Sequence, residues 1–221
     1  MGNHGRFGKY GEKKRIERLR KARSARVDMP GKGVRPKGRT PSFEKWTGQK
    51  SRVIIRPAAP SDANFLRALS KEVFQHYGPY ENLLPSWFEM GATITFISLK
   101  GKKPVGFAML SLPGQNRFFP RICELLAIAV EPSRQRLGIG DLLMEAVEQK
   151  TSELEIDKLV LHTGTKNLPA QRLFRKYGFA PLEIKEDFYS GGQDALMMFR
   201  DFCNSGQGLT VQGSKLESDE P

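Results

Sequence analysis

The chemistry in this chain concentrates in one short segment, Arg134-Gln135-Arg136-Leu137-Gly138-Ile139-Gly140, which follows an apolar run and opens an amphipathic one. Two glycines spaced by two let the backbone turn tightly and approach a ligand closely. A helix that starts there presents N–H groups without intrahelical acceptors and a partial positive charge, to which Arg134 and Arg136 add full charges. Such a combination can cradle a pyrophosphate. It is not a Walker loop, because no Gly-Lys-Ser/Thr follows. Nor is it the dinucleotide pattern Gly-x-Gly-x-x-Gly, because residue 143 is Leu. Taken alone, it is also readable as a glycine-rich strand-to-helix turn that binds nothing.

The elements around the cradle can be read from periodicity and from breakers. Val53–Arg56 reads as a strand ended by Pro57. A helix starts at Pro60-Ser61-Asp62 with Phe65, Leu66, Leu69 and Val73 as its apolar stripe. Gly78–Pro85 breaks the chain, and a short helix follows around Trp87. Thr93–Leu99 and Val105–Leu112 form a hairpin about Lys100-Gly101-Lys102-Lys103. Ile122–Val130 is a long apolar strand. Gly138–Gln149 is a helix whose stripe is Ile139, Leu142, Leu143, Ala146 and Val147. Lys158–Thr163 is a strand, Pro169–Tyr177 a helix, and Phe179–Ile184 and Ala195–Phe199 two further strands. Strand–helix–strand order implies a parallel pair with a right-handed crossover. The hairpins add antiparallel neighbours, so the sheet is mixed and the class is α/β (α+β).

Charge divides the chain in two. Residues 1–52 hold 17 Lys/Arg against 4 Asp/Glu, a net of +13, while residues 53–221 hold 19 against 20, a net of −1. The first segment is basic and rich in Gly and Pro, with too few aliphatic residues to offset chain entropy, and is expected to be disordered. Residues 203–221 read as a disordered acidic tail, which leaves 53–202 as the folded domain. The arginine clusters of 1–52 suit a phosphate backbone, so nonspecific contact with RNA or a ribosome is one reading; targeting and solubilisation are the others. No base-reading motif is visible. No apolar run is long enough to span a membrane. Two cysteines, Cys123 and Cys203, exclude a disulfide framework, and His4, His76 and His162 are too scattered for a metal cluster. No metal is expected, and a reducing, cytoplasmic compartment fits.

A second segment gives the cradle its context. Asn167-Leu168-Pro169-Ala170-Gln171-Arg172-Leu173-Phe174-Arg175-Lys176-Tyr177-Gly178-Phe179 follows the next strand. Together with Gln135–Gly140 and the opening Ile55-Arg56-Pro57-Ala58 with Asp62, it resembles the GNAT acetyltransferase superfamily over about residues 53–200. The loop Lys185–Ala195, with Phe188-Tyr189, resembles the aromatic loop of N-α-acetyltransferases of the ribosomal-protein type, in which it covers the peptide N-terminus.

The resemblance implies a GNAT fold, with a mixed central sheet, a splayed parallel strand pair and flanking helices. It implies acetyl-coenzyme A as co-substrate, held by Arg134, Gln135, Arg136, Leu137, Gly138, Ile139 and Gly140. Backbone groups of Ile128 and Val130 would bond the pantetheine arm, with Asn167 and Phe174 beside it. His162 is the candidate general base, because an imidazole suits proton removal at neutral pH; packing in its strand is the plainer alternative. Glu124 is the second candidate, because a lone carboxylate on an apolar strand is costly unless it is functional or solvent-facing. Cys123 could instead project into the site. Many relatives carry Tyr where this chain has Phe174, so either another group protonates the departing thiolate or it leaves unassisted. Tyr177 is read as helix-end packing. Phe188 and Tyr189 would contact the acceptor. A protein N-terminal α-amine is the favoured acceptor, attacked within a ternary complex. A lysine or small amine, or a coenzyme A-binding module with weak chemistry, are the alternatives.

Overall fold

The computed structural model describes residues 53–113 and 120–202. The expectations for residues 1–52 and 203–221 therefore lie outside the described residues. Seven strands form one sheet in the order β1-β2-β3-β4-β5-β7-β6: β1 (Val53–Pro57), β2 (Thr93–Lys100), β3 (Lys103–Ser111), β4 (Ile122–Val130), β5 (Lys158–Gly164), β6 (Ala180–Lys185) and β7 (Ala195–Asp201). Four α-helices, α1 (Ala63–Phe74), α2 (Tyr80–Glu89), α3 (Ile139–Glu153) and α4 (Leu168–Lys176), cover its faces. Among the described residues only β4 and β5 pair in parallel; every other pairing is antiparallel. The mixed sheet and the parallel pair are as the sequence predicts.

Each face has its own core. On one side Leu66 and Leu69 of α1 and Leu84 and Trp87 of α2 pack on Phe107, Met109, Ala127 and Ala129. On the other, Ile139, Leu143, Met144 and Val147 of α3 pack on Val105, Leu125, Leu159 and Leu161. Met144 takes the fully buried place expected for Leu142, which is only half-buried. α3 runs to Glu153, past the expected end at Gln149, because buried Thr151 turns its hydroxyl back to the Glu148 carbonyl at 2.8 Å. α2 starts at Tyr80, inside the stretch expected to be broken, and carries Pro85 within it. Burial of Tyr80, Leu84 and Trp87 on one stripe outweighs the lost backbone bond.

The entry to α1 is pinned by polar contacts. The Arg56 guanidinium donates to both Asp62 carboxylate oxygens at 2.7 and 2.8 Å, and Ala59 N–H donates to the same carboxylate at 2.7 Å. These bonds hold the Asp62 carboxyl below the usual carboxylate range, the Arg56 hydrogen bond being the largest cause.

The feature that makes a site is in β4. Its parallel pairing with β5 runs from Ile122–Lys158 to Leu125–Leu161 and ends there. Against β3, Leu110 pairs with Leu125 and Met109 with Ala127, so Leu126 is an extra residue, a β-bulge. Bulges bend a strand and increase its twist. β4 therefore leaves β5 at the residue where it bulges, and the sheet splays open beyond it.

Candidate active site

One edge of the splay is made by backbone. Val130 lies opposite Gly106, and the Glu131 N–H donates to the Val105 carbonyl at 2.9 Å. This makes Val130–Gly106 a non-hydrogen-bonded pair of the antiparallel ladder, and Ile128–Ala108 falls in the same phase. The N–H and C=O groups of Ile128 and Val130 therefore point away from β3, toward the edge that β5 has left. The Val130 carbonyl also accepts the Gln135 side-chain amide at 3.2 Å.

The cradle lies at the end of this edge. Arg136 and Gly138 both have left-handed backbone, with φ of 60° and 79°. Such left-handed residues among right-handed ones gather N–H groups into an anion-binding concavity, and α3 starts at the next residue. A Cβ on Gly138 would meet nothing within 4 Å, so the space beside it is open. Gln135, Arg136, Gly138 and Gly140 line a cleft with Ile128 and Val130. The other cradle residues do different work. Arg134 pairs with Glu131 at 3.0 Å, the Leu137 side chain is exposed, and the Ile139 side chain is buried in the core, so Leu137 and Ile139 can serve the cleft only through backbone.

Asn167 caps α4 by accepting the Ala170 N–H at 3.3 Å and lines both this cleft and an adjoining cavity. The two adjoin, because Phe74, Ile128 and Ala170 also line both. Phe174 lines the inner part, where its buried ring packs 5.9 Å from Phe179 and offers no proton.

The two candidate acid–base groups, considered separately in the sequence, form one unit. Leu159 and Leu161 face the α3 core, so strand alternation turns Val160 and His162 to the opposite face. Glu124 lies opposite Val160 and shares that face. The Glu124 Oε1 to His162 Nδ1 distance is 3.1 Å, and the side chains are 16% and 11% exposed. An ionised carboxylate only accepts, so in the neutral tautomer that bonds it Nδ1 is the donor and Nε2 the acceptor. Nε2 is buried and has no hydrogen-bond partner among the described residues, while the His162 ring lines the inner cavity. An orphaned buried acceptor in a cavity is a place for a donor that the chain itself does not supply.

Aromatic side chains roof this dyad. The Phe188 ring stacks on the His162 imidazole at 4.5 Å between centroids and 10° between planes. Tyr189 lines the cavity and packs 4.6 Å from Tyr77. The β6–β7 loop is tied to the α1–α2 connection. Gly191 N–H and Ser190 Oγ donate to the Tyr77 carbonyl at 3.4 and 3.3 Å, and Gln193 Nε2 donates to the His76 carbonyl at 2.6 Å.

Two side chains fall outside the site. Cys123 turns into the core, not into the cavity, and donates its Sγ–H to the Ser111 carbonyl at 2.9 Å; burial pushes its thiol up to about 11. Tyr177 donates to the Asp141 carbonyl at 3.0 Å, and burial raises its hydroxyl well above the usual range, so it packs the helix end as expected. Tyr77, and Tyr80 from the stretch read as a chain break, also line the cavity. The spacing by three of Phe74, Tyr77 and Tyr80 is the signal that could have placed them on one wall. Among the described residues there is no group of His, Cys, Asp and Glu placed to hold a metal ion, and no helix long and apolar enough to cross a membrane.

A splayed parallel pair, a glycine-rich start to the next helix and a Glu124–His162 pair beside the gap suit an enzyme of acyl transfer. The chain belongs to the acetyltransferase (GNAT) family, whose sequence pattern matches residues 63–179. It is 22% identical over 149 residues to an uncharacterized N-acetyltransferase of Methanocaldococcus jannaschii, with 67% of this chain and 91% of that protein covered. It is 32% identical over 76 residues to an N-alpha-acetyltransferase of Sulfurisphaera tokodaii, but covers only 34% of this chain and 46% of that relative. Among solved structures, the ribosomal-protein-S18-alanine N-acetyltransferase of Escherichia coli is similar with a TM-score of 0.59, 21% identity, and coverage of 73% of this chain and 99% of that one. That likeness confirms the GNAT fold expected from the sequence.

Proposed function

We propose that this acetyltransferase moves the acetyl group of acetyl-coenzyme A to the α-amino group at a protein or peptide N-terminus, by direct attack within a ternary complex. The observation that carries the reading is the orphaned, buried Nε2 of His162, a residue that lines the cavity and is bonded through Nδ1 to Glu124. When bound, acetyl-coenzyme A supplies an activated thioester. The residues present fit it: the outward N–H and C=O groups of Ile128 and Val130 suit the amides of a pantetheine arm, and the N–H groups around Gly138–Gly140 suit the pyrophosphate. Asn167 and Phe174 would flank the arm where cleft and cavity meet. Gln135 would steady the edge through the Val130 carbonyl, and Arg136 would add charge from the cleft wall.

His162 Nε2 takes the proton of the acceptor amine, and Glu124 stabilises the imidazolium that results. An α-ammonium ordinarily titrates near ~8 against ~10.4 for lysine, so a modest base suffices for it. Phe188 holds the imidazole plane, and Tyr189 borders the space where an N-terminal residue would lie. The curated N-alpha-acetyltransferase relative and the ribosomal-protein-alanine enzyme support this acceptor class. Incubation with acetyl-coenzyme A and panels of free-N-terminus peptides, lysine-only peptides with blocked N-termini and small amines, read by mass spectrometry, tests it. Acetylation confined to lysine or small amines would refute the α-amine reading. Coenzyme A binding without turnover would favour a binding module.

We further propose that residues 53–202 are the self-contained catalytic domain, working in the cytoplasm, and that the basic residues 1–52 tether it to RNA or ribosomes through phosphate contacts. Deletion of residues 1–50 is expected to leave coenzyme A affinity and cooperative melting intact while abolishing salt-sensitive RNA retention. Equal retention by both forms would refute the tether.

A further inference from the structure

Acetyl transfer leaves a thiolate as well as an amide, and the dyad accounts for only one of the two protons involved. Phe174 borders the inner cavity without a hydroxyl, and the Cys123 thiol is turned into the core. A different side chain, that of Tyr77, lines the inner cavity together with His162 and Phe174. The hydroxyl of Tyr77 lies against Gly164, the last residue of β5, so closely that a Cβ on Gly164 would come within 2.6 Å of it. Gly164 lies two residues beyond His162 and borders the cavity with Asn167 and Phe174. The Tyr77 ring is held in place by the Tyr189 ring 4.6 Å away and by the loop bonds to its own carbonyl. Among the described residues its hydroxyl has no hydrogen-bond partner.

Resting on the acetyl-transfer reading above, we propose that the Tyr77 hydroxyl protonates the coenzyme A sulfur as the C–S bond breaks. The acceptor nitrogen bonds to the carbonyl carbon, and the C–S electron pair departs with sulfur. The Tyr77 proton joins the sulfur, and the proton shed by nitrogen passes to His162 Nε2. The tyrosinate and imidazolium left behind are neutralised through solvent as products leave. Burial raises the Tyr77 hydroxyl above its ordinary value, so the group enters each cycle protonated. Tyr77 thus acts as an acid from the α1–α2 connection, in the cavity that Phe174 also lines.

The test reads the thiol of bound coenzyme A directly, by ultraviolet titration of its thiolate in complexes of the full chain. A Tyr77 hydroxyl aimed at the sulfur stabilises the thiolate, so Tyr77→Phe is expected to raise the titration midpoint of the bound thiol by about one pH unit, a tenfold change. Turnover is expected to fall by about 10²-fold, the usual size of general-acid assistance. Phe keeps the ring packing against Tyr189. Gly164→Ala, which retains the hydroxyl but displaces it, should raise the midpoint in the same direction. Adding Phe174→Tyr to Tyr77→Phe should restore at least tenfold in turnover, by returning a hydroxyl to the same cavity. An unchanged midpoint in Tyr77→Phe, with coenzyme A still bound and wild-type turnover intact, overturns the proposal and leaves the acetyl-transfer reading standing. Failure of the wild type to bind coenzyme A overturns both.

Discussion

Replacing Glu124 by Gln removes a charge from behind the base while keeping the side-chain shape. The carboxylate oxygen lies 3.1 Å from His162 Nδ1. With charge centres about 4 Å apart and an effective dielectric near ~20, the attraction for a protonated imidazole is about 4 kcal/mol. Solvent reaches 16% and 11% of the two side chains, and the amide oxygen of Gln still accepts the Nδ1 hydrogen, so only part of that is lost. A net loss of about 1.5–3 kcal/mol, the range of a hydrogen bond to a charged group, predicts a fall of about 10- to 10²-fold in kcat. Coenzyme A affinity should not change, because Glu124 borders neither the cradle nor the open edge of β4. The decisive assay is a double-mutant cycle with His162→Ala. Because Glu124 acts through His162, the Gln substitution should have little effect once the imidazole is gone. An equal fold-loss in both backgrounds, or full activity of Glu124→Gln, would refute the dyad.

Gly138→Val should weaken coenzyme A binding at least tenfold in calorimetry, since its φ of 79° strains any β-branched residue and its Cβ would enter the open space of the cradle; unchanged affinity would place the pyrophosphate elsewhere. Gly191→Ala puts a Cβ onto the His76 carbonyl oxygen and 2.7 Å from Gln193 Oε1. It should loosen the roof by about 1–3 kcal/mol, raising the acceptor KM several-fold in peptide kinetics while the coenzyme A dissociation constant stays fixed. The Cys123 thiol, ordinarily at 9.0 and here at about 11, ionises later in the folded chain than in the unfolded one. Its stabilisation is therefore complete below pH 9 and lost as pH rises toward 11, by about 2–3 kcal/mol. Denaturant melts of wild type against Cys123→Ala across that window should converge as pH rises.

The limits of the sequence reading follow from what is local. Ile122–Val130 is found as a strand with the predicted ends, because a β-rich apolar run closed by Glu131-Pro132 needs no partner to be recognised. The hairpin about Gly101 and the start of α3 beside Gly138 are equally local. The union of Glu124 with His162 is not, since it joins residues 38 apart and depends on the register of two strands. Phe188 is another such case. The loop resemblance points to an acceptor contact, but the ring's position over His162 comes from how that loop is tied down against the α1–α2 connection. Tyr80 and Pro85 mislead in the opposite way: a proline reads as a stop, and only the hydrophobic stripe it shares with Leu84 and Trp87 shows that the helix continues through it.

The extra residue at Leu126 also sets a phase. Before it, odd-numbered side chains of β4, Cys123 and Leu125, point into the α3 core; after it, odd-numbered Ala127 and Ala129 point to the α1–α2 side. The inversion lets one strand turn the Glu124 carboxylate toward the acceptor wall and, a few residues later, aim the backbone of Ile128 and Val130 out of the open edge. A strand of uniform alternation cannot keep both. Removing Leu126 would bring one half into step with the other, so that either the acid faces the α3 core or the edge groups turn in toward β3. The Glu124 carboxylate and the open backbone edge are thus held in step by an odd count along one strand, which makes the length of β4 as much a determinant of the proposed site as the identity of its side chains.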